Sequence, residues 1–228
     1  MADMPTVNAP DASEMQAAPQ PPPTGPLIYG RLELLSEITG PDGAHGTELV
    51  VLRPTARAMA AVIDAPGQRA ALTAFVKDCC RITNGTGGFH TFDINELNAS
   101  DASEIGAILA SVGEDASVGT EIRTEADGIN SPIVYDLKYP IDLGGGDGEV
   151  IRQISFQARK VRDITEFLDA TGAERRFYAF MHCFGQLLGT RLPMADSFIG
   201  AMDVADYLTI VQSIMGKLTG PRGRWKKA

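Results

Sequence analysis

The chain resembles itself, and that internal likeness limits the folds open to it more than any local motif does. Asp64-Ala65-Pro66-Gly67 returns as Asp169-Ala170-Thr171-Gly172, and Ala74-Phe75 returns as Ala179-Phe180, both 105 positions later. In that register Leu72, Phe75, Val76, Cys79 and Ile82 stand opposite Phe177, Phe180, Met181, Phe184 and Leu187. Each set follows i, i+3, i+4, i+7, i+10, the stripe of an amphipathic helix. Farther on, Asp101-Ala102-Ser103-Glu104-Ile105 aligns with Asp203-Val204-Ala205-Asp206-Tyr207 at an offset of 102, which reads as a short loop insertion in the first copy. Each Asp precedes an apolar-periodic segment with an acid three residues on, the pattern of an N-cap and an acidic first turn. Both segments are therefore expected to be helices.

Upstream, each copy opens with two strand-like runs around a Gly- and Asp-rich turn: Leu27 to Ile38 with Leu49 to Leu52, then Ile133 to Leu143 with Val150 to Phe156. Such runs predict hairpins. Short helices follow, about Ala56 to Ile63 and Val161 to Leu168. The expectation is an α+β fold of two tandem units, 27–112 and 133–218, each a β-hairpin followed by about three helices. Residues 113–132 read as a linker and 219–228 as a basic tail. Residues 1–26, rich in Pro and Ala, bury too little apolar surface to offset their ordering entropy and read as a disordered arm.

Composition narrows the function. A formal charge of -9 disfavours broad binding to nucleic acid or anionic membranes, which requires clustered cations. Three cysteines and the lack of a cationic-then-apolar start argue for a reducing cytosol, and every apolar run is interrupted well short of a membrane span.

The second copy carries an ordered set of residues: Tyr139-Pro140-Ile141, a Gly-rich turn, the strand Val150 to Phe156 running into Arg159-Lys160-Val161-Arg162-Asp163-Ile164, and Asp203-Val204-Ala205-Asp206-Tyr207-Leu208. In this order the set resembles the tail assembly chaperones of contractile-tailed, Mu-like bacteriophages. The first copy departs from the pattern, with Glu37-Ile38-Thr39 in place of the Tyr-Pro-Ile strand and Glu104-Ile105 in place of Asp-Tyr. The resemblance implies a non-catalytic assembly factor in the host cytoplasm. It would bind the tape measure protein before the tube polymerises, with the tail tube protein as a second partner. Its contact candidates are Tyr139, Pro140, Arg159, Arg162, Asp163, Asp203, Asp206 and Tyr207. The alternative is a structural tail or baseplate component retained in the virion. A homo-oligomer is compatible with either.

No residue pattern points to a reaction, a metal or a cofactor. Cys79, Cys80, Cys183, His90 and His182 lack the paired spacing of zinc ligands, and Cys79 falls on the apolar stripe. Thr83 to Gly88 lacks the Lys and Ser/Thr that follow a phosphate-binding loop, and Gly144 to Gly148 reads as a turn, with calcium binding as the lesser alternative. Lys217, Arg222, Arg224, Lys226 and Lys227, with Trp225, form a basic tail that reads as a solvated terminus, the alternative being contact with nucleic acid or an acidic protein patch.

Overall fold

The computed structural model describes residues 27–85, 88–115, 122–124, 132–142 and 150–219. The expected arm, the Gly144 to Gly148 turn, most of the expected linker and the basic tail beyond Thr219 lie outside these residues. Strands β1 (Ile28–Thr39) and β2 (His45–Leu52) form an antiparallel hairpin. Helices α1 (Ala56–Ile63) and α2 (Gln68–Cys79) follow, and then β3 (Cys80–Thr83) pairs with β2. Helix α3 (Ala99–Asp115) closes the first half. The second half holds β4 (Ile122–Thr124), β5 (Ile133–Asp142) and β6 (Val150–Phe156). A 3-10 turn at Val161–Asp163 leads to α4 (Thr165–Asp169), α5 (Ala173–Phe184) and β7 (Gly185–Leu187). Last come α6 (Asp196–Ala201), α7 (Val204–Thr209), a π-helical stretch Ile210–Met215 and α8 (Gly216–Thr219).

This architecture corrects the expected one. The chain is a mixed α/β protein with a three-stranded sheet, order β1-β2-β3, and a four-stranded sheet, order β4-β5-β6-β7. It is not a tandem pair of hairpins each followed by three helices. The apolar stripes of α2 and α5 end at Cys79 and Phe184, where the backbone turns extended at Cys80 (φ -105, ψ 142) and Gly185 (φ -88, ψ 146). Ile82 and Leu187, which continue the helical spacing in the sequence, are buried strand residues. Strands this short display no period of their own, so the preceding helix's spacing runs over them. The expected short helix Val161 to Leu168 is also divided, into the 3-10 turn and α4. Within the expected linker, α3 runs on to Asp115 and β4 pairs with β5.

Nor are the halves independent. The first core gathers Leu49, Val51, Phe75, Val76, Ile82 and Ile105. The second is aromatic: Phe180 stacks on Phe156 (5.7 Å) and Phe184 (4.9 Å), and Phe177 meets Tyr207 edge-on at 4.6 Å. Helix α1 serves both. Its Ala58 packs into the first core, whereas Ala56, Met59 and Ala60 lie in the second. Small side chains let the helix approach closely on two sides.

Polar contacts hold α1 at both ends. Ala56 N–H donates to the Met202 carbonyl (2.7 Å) and Val204 N–H to the Pro54 carbonyl (3.1 Å), a strand-like exchange between Thr55 and Asp203. At the other end the Asp64 carboxylate accepts the Ala173 and Glu174 N–H groups (2.5 and 3.1 Å), capping α5 across the junction. Met59→Ala is expected to cost about 2–4 kcal/mol in urea unfolding, the range for truncating a buried methionine. It should also accelerate hydrogen exchange in β5 to β7 together with α1; unchanged protection of those strands would mean that the halves unfold separately.

Candidate functional site: a groove held by buried carboxylates

The site is built from an irregularity in β5. Between the pairs Asp136↔Gln153 and Ile141↔Ile151, four β5 residues face a single residue of β6. Surplus residues arch a strand away from its neighbour and release backbone amides from the ladder. Asp206, fully buried in α7, receives them. Its Oδ1 accepts the Tyr135 hydroxyl (2.7 Å) and the Lys138 N–H (2.8 Å), and its Oδ2 accepts the Tyr139 N–H (3.2 Å). Burial pushes the Asp206 carboxyl above the usual carboxylate range, and these three donors pull it partly back.

The first half repeats the device. Strand β1 has the same four-against-one irregularity between Glu33↔Glu48 and Ile38↔Gly46, and the Leu35 N–H donates to buried Asp101 at 3.4 Å. Asn98 starts α3, its Oδ1 accepting the Ser100 and Asp101 N–H groups, just as Asp203 caps α7 through the Ala205 N–H (2.8 Å). Asn98 therefore corresponds to Asp203 and Asp101 to Asp206, both 105 positions apart. The offset of 102 and its loop insertion are corrected: Asp101 is the latch, not the cap.

Asp203 has a second role. Its other oxygen pairs with Nε of Arg53, from the junction of β2 and α1, while the Arg53 guanidinium lies 3.6 Å above the Tyr139 ring. Burial raises the Asp203 carboxyl, and the Ala205 amide and Arg53 counter it. Around this stack lies a groove of about 390 Å³ lined by both halves. Leu52, Pro54, Pro140 and Ile141 give it apolar surface, and Arg53, Asp78, Asp142 and Asp203 give it charge.

Of the residues singled out in the sequence, Tyr139, Pro140 and Asp203 meet in this groove. Asp206 and Tyr207 stand behind it, 0% and 1% exposed, and hold it in place. Arg159, Arg162 and Asp163 do not line it; they lie exposed after β6, with Arg162 and Asp163 3.5 Å apart. Sequence reasoning missed Arg53 as a site residue. Its signal was a cation beside Pro54 at the strand-to-helix junction, a place with no obvious solvent-facing role.

The remaining candidates are occupied elsewhere. His182 pairs with Asp196 (2.7 Å) and His90 with Asp42 (2.6 Å), holding Asp42 below the usual carboxylate range. Among the described residues no group of three or more His, Cys, Asp or Glu side chains is placed to hold a metal, and no helix is long and apolar enough to cross a membrane. Compared with known families, curated proteins and solved structures, the chain matches none.

Two measurements test the site. Because the folded state raises the Asp206 carboxyl, the stability tied to its proton is fully present below the usual Asp pKa and is lost as pH rises through the raised value. Asp206→Asn turns an NH₂ donor toward a backbone N–H and is expected to cost about 1–3 kcal/mol. The margin of wild type over this variant in urea unfolding should be widest in acid and shrink as pH rises; a margin that grows with pH contradicts the raised carboxyl. The second concerns thiols. Burial pushes Cys79 and Cys80 up to about 12. A neutral-pH thiol reagent should label half-buried Cys183 first and reach the other two only on unfolding.

Proposed function

We propose that this chain is a phage tail assembly chaperone that binds the tape measure protein in the host cytoplasm and acts by binding alone. The observation that carries the reading is convergence. Tyr139, Pro140, Ile141 and Asp203, drawn from separate pieces of the resembling set, line one groove, and Asp206 and Tyr207 from the same set anchor it. The remainder of that set, Arg159 to Asp163, is exposed beside α4 and free to add charged contacts.

The groove's chemistry suits a helical, apolar-faced partner. Proline and aliphatic side chains accept an apolar residue, and the carboxylates with Arg53 favour a polar flank on the same helix. Its parts are fixed by buried hydrogen bonds before a partner arrives, so little ordering is needed on binding. A contact of this size is weak singly and accumulates along a long partner, which leaves it displaceable when tube protein polymerises.

The test is co-expression of the tagged chain with the tape measure protein of the same phage, followed by pull-down from lysate and mass spectrometry of purified virions. Capture in lysate with absence from virions is the expected outcome. Stable presence in virions would instead identify a structural tail or baseplate component. Pro140→Glu, which places a charge in the groove, should weaken capture tenfold or more with an unchanged melting temperature. Full capture by that variant would move the contact off the groove.

A further inference from the structure

We propose that two copies of this chain pair edge to edge through β1, antiparallel about a two-fold axis at Leu32, joining their first sheets into one. The argument begins from an edge that is covered in one half and open in the other. In the second half β4 lies along β5, with Ile122↔Tyr135, Arg123↔Val134 and Thr124↔Ile133. The two arches set β1 against β5. Glu33↔Glu48 and Ile38↔Gly46 flank one arch as Asp136↔Gln153 and Ile141↔Ile151 flank the other, and the Leu35 N–H has the task of the Lys138 N–H. Gly30, Arg31 and Leu32 thus correspond to Ile133, Val134 and Tyr135, the residues that β4 covers. Among the described residues β1 pairs with β2 alone, whereas β3, at the other edge of that sheet, is met by His90 through Ile82. The edge left open runs along residues 30–32.

An open strand edge offers its backbone to any extended segment, so the side chains decide which one fits. A two-fold pair that keeps both cores on one side of the joined sheet sets odd residues opposite odd and even opposite even. Centring it on Arg31 or on Glu33 would place like charges in direct opposition, and centring it on Leu34 would run the pair into the arch. Centring it on Gly30 would leave both charges facing uncharged residues. Centred on Leu32, Arg31 of each copy faces Glu33 of the other, and Leu32 faces Leu32. Opposite charges directly across a ladder stabilise it. Within one copy Glu33 stands opposite Glu48 while Arg31 bonds Glu48 at 2.7 Å, so one cation serves two acids. The pair gives each Glu33 an Arg of its own.

The core face fits the same register. Leu34 belongs to the first core and Leu32 packs against it, so the pair makes that core continuous between copies. Leu34 of one copy falls opposite Gly30 of the other, where an added Cβ would meet nothing within 4 Å and a neighbouring side chain finds room. Leu35, 72% exposed, comes to the end of the other copy that carries Ile28, 43% exposed. The chain before β1 is a poor substitute for a second copy, because Pro19, Pro21, Pro22, Pro23 and Pro26 have no N–H to give a ladder. So short an edge buries little area, and the dimer it makes is weak and reversible.

Sedimentation of the full chain at concentrations up to about 1 mM tests the proposal. The average mass of wild type is expected to climb toward twice the 24.3 kDa of one chain and to stop there, because a two-fold contact closes on itself. Arg31→Glu and Glu33→Arg each oppose like charges at both crossings, and each should weaken association at least tenfold. An equimolar mixture of the two sets an acidic edge against a basic one and should dimerise again, as should the double variant carrying both changes. Arg31→Glu also removes the bond to Glu48; the mixture controls for this, since that bond stays broken while association returns. Both side chains are exposed, so the variants should remain folded by circular dichroism. A wild type that stays monomeric throughout, a dimer indifferent to either reversal, or a mixture and double variant that both stay monomeric would overturn the proposal.

Discussion

Everything else in this molecule depends on one eight-residue helix lying in two hydrophobic cores. A helix as short as α1 does not hold its own shape in water, because nucleation consumes most of what so few hydrogen bonds return. It is helical because Thr55 caps its start and because Ala58 on one side and Ala56, Met59 and Ala60 on the other are buried by different halves of the chain. In return it positions them. The backbone exchange of Pro54 and Ala56 with Met202 and Val204 sets where α7 begins, and Asp64 sets where α5 begins. Removing α1 would therefore expose both cores and leave two helix starts without partners.

Three buried carboxylates translate that arrangement into a defined surface. Desolvating an ionised Asp is costly, and it is tolerated here because each carboxylate faces donors that also need partners. Asp206 takes two amides expelled from the β5 ladder, Asp101 takes one from β1, and Asp203 takes a helix-start amide and Arg53. At Asp203 and Asp206 both oxygens accept, so Asn would turn a donor toward a donor there. The bonds tie the arches of β1 and β5 to the starts of α3 and α7. The spacing between sheet and helix is thereby set by polar geometry as well as by packing. Tyr139 and Pro140 sit on such an arch, which is why the groove is a fixed shape rather than a loop that samples many.

Much of this was legible in the residues. The hairpins, the first short helix, the two long amphipathic helices and the Asp203 cap all follow from local patterns that their tertiary setting does not contradict. What was not legible has a common cause. Cys80 to Thr83 and Gly185 to Leu187 are too short to show strand alternation and inherit helical spacing from the helix before them. Asp101 looked like a cap because a carboxylate near a helix start has the same one-dimensional signature whether it bonds its own helix or a distant strand. Asn98 resolves the ambiguity only when the three-dimensional pairs are seen, and the single offset of 105 then suffices. The one signal at Arg53, a cation beside Pro54, did not name its partners, because Asp203 and Tyr139 are distant in sequence and the second half has Ala158 at the corresponding position.

That missing counterpart separates the two halves. The junction made by α1 includes the Arg53–Asp203 ion pair and the stack of Arg53 on Tyr139. The 105-residue register places Ala158 at the position of Arg53 and Asn98 at that of Asp203. Those positions therefore hold neither the ion pair nor the cation–π contact, and the difference between the two arches rests on the substitutions that separate the halves rather than on their backbone course.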